Sequence, residues 1–338
     1  MNDNLNSVGI IANPASGRDI RRLVAHGSVF DNAEKVNIVR RILLALNNLE
    51  LDKVYIMPDT FGIGSEAVNG LWGEEKDNFK LDVDILEMTM TSTAEDSFEA
   101  ARLMEEKNVD VIIVLGGDGT NRVVVKALKK TPILSLSTGT NNVFPIMAES
   151  TMLGLAAGLF TKFTEAERKK VKRPIKCINI IKDGKVVDLA LIDAVIVNES
   201  YIGSRALWHP EHLEELFVTR STSHDIGMVS IAGRLAEVKA TDEGGIFVRI
   251  GDNGKVVKAA IAPGVIKNIP IAEWRRAEQE EVIELKPKRR IIALDGEREL
   301  VVKKSEKLSM QLSYTPVDFL VYEEVLKLAD SKHLLEVR

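Results

Sequence analysis

The sequence Val109-Asp110-Val111-Ile112-Ile113-Val114-Leu115-Gly116-Gly117-Asp118-Gly119-Thr120 joins an apolar run to a glycine-rich turn. Its first seven residues are nearly all apolar, the composition of a strand buried on both faces. Three glycines around one aspartate come next, and then Asn121 to Leu128, which reads as a helix. A glycine-rich turn in that context brings backbone N–H groups and the positive helix end close to phosphate oxygens, at the strand ends where open α/β sheets bind ligands. The segment is neither a Walker A loop, which needs Gly-Lys-Ser/Thr, nor a GxGxxG dinucleotide fingerprint. A carboxylate repels phosphate, so Asp118 is expected either to accept the proton of an attacking hydroxyl or to hold Mg²⁺ against phosphate oxygens. A tight turn with Asp118 capping the next helix is the structural alternative.

On both sides of this stretch, strand and helix alternate. Strands are expected at Val8–Ala12, Val54–Met57, Val83–Leu86 and Ile133–Leu136. A helix starts at Asp19–Val24, with Ser16 and Asp19 at capping-box spacing. Another carries Val36, Val39, Leu43 and Leu46 at intervals of three or four behind Asp31 and Glu34, and a third spans Thr93–Lys107 behind Thr93 and Asp96. That alternation predicts a doubly wound parallel α/β sheet.

After the basic stretch Arg168-Lys169-Lys170-Val171-Lys172-Arg173-Pro174, the pattern changes to strands. Asp183-Gly184 and Asn253-Gly254 each separate apolar runs and suit type I′ hairpin turns. Helices are expected at about Glu211–Phe217 and Val317–Ala329. The domain reading is an α/β nucleotide-binding domain over 1–165, a β-rich, antiparallel, sandwich-like domain over 175–315, and a C-terminal helix within 316–338 able to pack back on the first domain.

Other βα loops carry chemistry as well. Ser137-Thr138-Gly139-Thr140-Asn141-Asn142 repeats the Gly-Thr-Asn of the first motif, so Thr138, Gly139, Thr140 and Asn141 are candidate ligand contacts; a helix cap is the alternative. Asn13-Pro14-Ala15-Ser16-Gly17, with Arg18, is a third candidate loop, or a plain proline turn. Gly116, Gly117, Gly119 and Thr120 complete the set. His209 and His212 have i,i+3 spacing but no third ligand, and read as helix-start residues; no dedicated metal site is expected.

Composition excludes several classes. The 338 residues, 45% apolar and 28% charged, suit a globular chain of two domains rather than a disordered one. With 45 basic against 50 acidic residues, the formal charge is −5, which argues against a nucleic-acid surface. Cys177 is the only cysteine, so no internal disulfide forms and a reducing cytoplasm fits. Apolar runs fall short of the roughly 20 residues of a membrane span, and the polar N-terminus MNDNLNSVG reads as no secretory signal.

NPASG, GGDGT, Asn198-Glu199 after AVIVN, and Asp295-Gly296-Glu297 after IIAL together resemble the ATP-NAD kinase and diacylglycerol kinase superfamily. NPASGRDIRRLVAH, GGDGTNR and STGTNNVFP are most similar to its acetoin catabolism protein X subgroup. The likeness covers roughly residues 7 to 300 and is strongest in the first 160; GGDGT alone is shared with phosphofructokinases. It implies an NAD kinase-like fold with the active site between the domains, and a phosphotransferase that moves a phosphoryl group from ATP, with Mg²⁺, to a hydroxyl of NAD or a related small acceptor. In NAD kinases the aspartate matching Asp118 is the proposed base, and the pair matching Asn198 and Glu199 contacts the dinucleotide. In the bacterial lipid kinases the proposed base is the aspartate matching Asp295, and Glu297 accompanies it. Asp118 and Asp295 are both candidates, expected to face one cleft with Asn198 and Glu199 on the same wall. NAD kinases carry Thr-Gly-Ser-Thr-Ala-Tyr where this chain has Arg220-Ser221-Thr222-Ser223-His224-Asp225, then Ser230-Ile231-Ala232-Gly233, without tyrosine. The acceptor thus stays open, and so does a non-catalytic NAD or ATP sensor linked to acetoin catabolism. A diacylglycerol-type lipid kinase is disfavoured because no basic amphipathic helix with apolar anchors is present. A cytoplasmic homo-oligomer, dimer or tetramer, is expected, with no membrane or nucleic-acid partner.

Overall fold

The computed structural model describes residues 5–16, 30–74, 78–139, 141–198, 212–286 and 288–336. The chain begins with β1 (Ser7–Ala12), α1 (Asn32–Asn48), β2 (Lys53–Ile56), α2 (Ile63–Glu74), β3 (Asp82–Ile85), α3 (Ala94–Glu106), β4 (Val111–Gly116), α4 (Asp118–Ala127), β5 (Ile133–Ser137), α5 (Ser150–Thr161) and α6 (Glu165–Lys170). Then come β6 (Lys172–Lys182), β7 (Lys185–Ala190), β8 (Asp193–Val197), β9 (Leu213–Val218), α7 (Val229–Gly233), β10 (Gly245–Ala262), β11 (Val265–Ala277), β12 (Val282–Leu285), β13 (Arg290–Leu294), β14 (Glu297–Val302), β15 (Leu308–Leu320) and α8 (Tyr322–Ser331).

Five parallel strands run in the order β3-β2-β1-β4-β5, and all six residues of β4 are buried. Helix periodicity places side chains as expected. Asp31 caps α1 by accepting from the Glu34 amide, and Val39, Leu43 and Leu46 are buried beneath it. Thr93 caps α3 from the Glu95 amide, while the Asp96 carboxylate accepts the amides of Thr91 and Ser92. The expected helix start at Asp19–Val24 lies outside the described residues.

The first sheet continues into the second half of the chain. β15 joins β5 in parallel through the pair Phe319 and Ile133, and β6, β7 and β12 add antiparallel pairs beyond it, giving nine strands among the described residues. A separate antiparallel sheet runs β11-β10-β9-β8-β13-β14. It packs on the antiparallel part of the first sheet: Ile178, Ile180 and Leu312 share one buried cluster with Ile196, Phe217 and Leu294. A larger cluster runs without a break from Ile112 and Val124 to Val195 and Val218, joining the two halves. Val325 and Ala329 of α8 lie in the cluster formed by α1, α5 and β1.

Three expectations are corrected. Leu213–Val218 is strand β9, not a helix, because β8 and β10 bracket it with ladder bonds. Val317–Leu320 belongs to β15, paired with β6, so the last helix starts only at Tyr322. Asn253-Gly254 is not a hairpin turn; it sits inside β10 at a register shift where Ile250 and Lys255 both face Ile271. The β10–β11 turn is Pro263-Gly264, between the paired Ala262 and Val265 and with Gly264 at φ +75°, the Pro-Gly order of a type II turn. Asp183-Gly184 does turn as expected, with φ of 49° and 79°.

Candidate functional site

Strands β1, β4 and β5 are adjacent and end level with one another: Ala12 pairs with Leu115, and Gly116 with Ser137. Their three loops therefore meet at one edge. Asn13 Nδ2 donates to Thr120 Oγ1 at 2.8 Å, and the hydroxyls of Ser16 and Thr138 lie 2.9 Å apart. Asn142 Nδ2 donates to Ser137 Oγ at 2.8 Å, and Ser137 Oγ donates to Gly139 O at 2.6 Å. Close approach explains two glycines. A Cβ on Gly116 would stand 2.6 Å from Thr120 Cβ, and one on Gly117 would stand 2.7 Å from Asn142 Oδ1. The crowding is loop against loop.

Asp118 opens α4 but does not cap it; the cap position is Gly117, without a side-chain bond. The Asp118 carboxylate reaches instead to the next loop. It accepts the Val143 amide at 3.1 Å on both oxygens and the Phe144 amide at 2.8 Å on Oδ1. The motif's aspartate thus fixes the loop after β5.

Asp295 comes from the other sheet. It and Gly296 adopt φ of 51° and 82° in the β13–β14 hairpin, the left-handed pair of a type I′ turn. The hairpin reading holds, and the turn buries its aspartate. Asp295 Oδ1 accepts the amides of Ile192 (2.7 Å), Leu191 (3.0 Å) and Asp193 (3.3 Å). Arg122 of α4 places Nε 3.5 Å from Asp295 Oδ2, and its Nη1 3.4 Å from Asp188 of β7. Lys126, one turn along α4, also pairs with Asp188 at 2.8 Å. Burial raises the Asp295 carboxyl, Arg122 opposes that, the Asp118 charge adds to it, and the amides of Ile192 and Leu191 oppose it; the result is about 7. Arg220, just after β9, is pushed down by burial and held up by Asp118, Asp225 and Asp295.

Asp118 and Asp295 line one cleft, together with Asn141, Asp193, Met228 and Ile261. Asn141 Oδ1 is buried there and accepts no hydrogen bond from the described residues. The Glu297 carboxylate lies over Gly119, 3.7 Å from where a Cβ would stand. Among the described residues, no three Asp, Glu, His or Cys side chains converge in a way that could hold a metal ion.

Asn198 does not share the wall with Asp295. Leu294 pairs with Ala194 near the start of β8, whereas Asn198 lies beyond the far end of that strand, about 15 Å away at the usual strand rise, and is exposed. Asp193, at the start of β8, lines the cleft. Gly17, Thr140, Glu199 and His209 lie outside the described residues. Asp193 lines the cleft, Arg122 and Arg220 lie against its carboxylates, and Lys35 lies under the loop after β1; of these, the quoted motifs contain Arg122 and Arg220 but neither Asp193 nor Lys35. Arg122 was within reach, since it comes directly after GGDGTN and a helix residue one turn beyond Asp118 faces the same way. Asp193 carried no local signal. Cys177 is buried, and burial pushes its thiol up to about 12, consistent with a packing role.

Residues 8–163 match the family model of the ATP-NAD kinase N-terminal domain, and residues 176–315 match that of the Acetoin catabolism protein X C-terminal domain. Acetoin catabolism protein X of Cupriavidus necator is 39% identical over 312 residues, which cover 90% of this chain and 87% of that protein. An uncharacterized protein of Archaeoglobus fulgidus is 29% identical over 167 residues, 48% of this chain and 45% of that one. An ATP-NAD kinase-type first half continuous with an acetoin catabolism protein X second half, and a relative matched along nearly the whole chain, lead to one assignment: the chain belongs to the acetoin catabolism protein X family and is NAD kinase-like.

Proposed function

We propose that the chain is an ATP-dependent kinase of alcohol groups, moving a phosphoryl group from ATP to a hydroxyl of NAD or a related small acceptor. The observation that carries this reading is the convergence of Asp118 and Asp295, from opposite halves of the chain, on one cleft that Asn141 also lines, its Oδ1 without a hydrogen bond among the described residues. The carboxylate and amide oxygens in its lining can accept from a hydroxyl donor. Phosphates belong instead at the neighbouring loop edge, where Ser16, Thr138 and the start of α4 meet.

Asp295 is the better candidate for the base. A carboxyl raised to about 7 by burial takes up a proton effectively near neutral pH. In the step, the acceptor hydroxyl gives its proton to the Asp295 carboxylate while its oxygen bonds to the γ-phosphorus, and ADP leaves with the electrons of the broken P–O bond. Asp118, held by the Val143 and Phe144 amides, orients the acceptor hydroxyl. Mg²⁺ bound to ATP would offset phosphate charge.

The test is an ADP-release screen of the full chain with ATP and, in turn, NAD, acyl glycerols and small alcohols. Turnover with NAD or a small alcohol, reduced at least about a hundredfold in Asp118→Asn and in Asp295→Asn, is the expected result. Tight ATP or NAD binding without turnover on any acceptor would replace the kinase by a nucleotide sensor. Turnover on acyl glycerols alone would make it a lipid kinase.

A further inference from the structure

Lys35 stands in the first turn of α1, with only 1% of its surface exposed. Its ammonium donates to the main-chain oxygens of Asn13 (2.9 Å), Ser16 (3.0 Å) and Pro14 (3.3 Å), and to Asn32 Oδ1 (3.3 Å). Neither solvation nor helix electrostatics accounts for this placement. An ammonium is strongly hydrated and costly to bury, and the N-terminal turn of a helix favours acids over cations. The ammonium gains instead a set of oxygens from one loop, the loop after β1.

That loop is also the anchor of the whole edge. Asn13 reaches from it to Thr120 in the GGDGT loop, and Ser16 reaches to Thr138 in the loop after β5. Ser16 Oγ further bonds to Asn13 O, one of the oxygens that Lys35 holds. Lys35 therefore lies beneath the point at which the three loops are joined.

We propose that Lys35 is a positioning residue: a built-in cation that shapes the 13–16 loop, and through it the Ser16–Thr138 and Asn13–Thr120 contacts, for binding the phosphate groups of ATP. The inference rests on the reading that ATP phosphates lie at this loop edge. The geometry gives the cation two effects. The ammonium draws the loop oxygens of Asn13, Pro14 and Ser16 toward itself, and it adds positive potential beneath that edge. It touches neither acceptor nor reacting atoms.

The experiment uses the full chain, with ATP as the probe. Lys35→Ala should weaken ATP binding, measured by calorimetry, by about tenfold or more, while kcat at saturating ATP stays within about threefold, a binding loss without a chemical one. Added n-propylammonium should restore most of the affinity, because it returns both the stem and the charge; n-propanol should not. Lys35→Met, which fills the space without charge, should remain folded and show the same loss without rescue. Unchanged ATP affinity in either variant, or equal rescue by n-propanol, would overturn the proposal while leaving the kinase reading in place. A wild-type chain that binds no ATP would overturn that reading, and this inference with it.

Discussion

Asp295 lies where burial and charge oppose each other, and its protonation reports which prevails. Its carboxyl is raised from 3.8 to about 7, chiefly by burial. Between those two values the folded chain holds a proton that the unfolded chain has released. The contribution of this group to stability is therefore fully present at low pH and is lost as pH rises through about 7, by on the order of 1 kcal/mol per pH unit. Asp295→Asn should remove that slope, which chemical denaturation at several pH values measures; an unchanged slope would dismiss the buried carboxyl as its source. Activity should run the other way. The base must be ionised, so kcat/KM should rise through about pH 7 in the wild type. A profile that stays flat as the pH passes through about 7 would move the proton transfer to another group.

At the scale of elements, the GGDGT turn is held by the loop after β5. Gly117→Ala would press a Cβ against Asn142 Oδ1 and disturb the loop whose Val143 and Phe144 amides hold Asp118. Overpacking of this kind costs about 1–3 kcal/mol. Asn142→Ala in the same chain should recover most of that loss, a coupling that denaturant midpoints of the two single variants and the double variant would reveal. Additive losses would mean that the glycine is required for another reason. The same elements show how much the sequence makes legible. Parallel strands and their helices can be read because burial on both faces gives the central strands unbroken apolar runs, as in β4, and burial on one face gives the helices a period, as with Val39, Leu43 and Leu46 on α1. Leu213–Val218 cannot, since Glu214, Glu215 and Leu216 suit a helix locally, and only pairing with β8 and β10 makes them a strand. Asn253-Gly254 misleads for a similar reason: the dipeptide favours a turn, but the chain turns at Pro263-Gly264 and absorbs Asn253 in a register shift. Asp118 and Asp295 can be named from their motifs and Arg122 from its place one turn beyond Asp118, whereas Asp193 and Lys35 acquire their roles only from contacts made in the fold.

Across the whole molecule, Arg122 links the two sheets. It projects from α4 of the first half toward Asp188 on β7 and Asp295 in the hairpin of the second sheet. Removing the cation leaves carboxylates buried without it, a loss of about 3–5 kcal/mol for a broken buried pair. Arg122→Met should therefore lower the denaturation midpoint markedly, whereas Lys126→Met, which removes a more exposed partner of Asp188, should have little effect. Equal effects would show that Arg122 contributes no more than a surface pair. If the halves meet to make one site in which Asp118 and Asp295 act together, a double-mutant cycle on kcat shows it. With the acceptor that supports turnover, Asp118→Asn, Asp295→Asn and the double variant are compared under saturating ATP. Two groups serving one step give a double variant about as slow as the slower single one. Losses that multiply, or a wild-type rate in either single variant, would contradict a shared site.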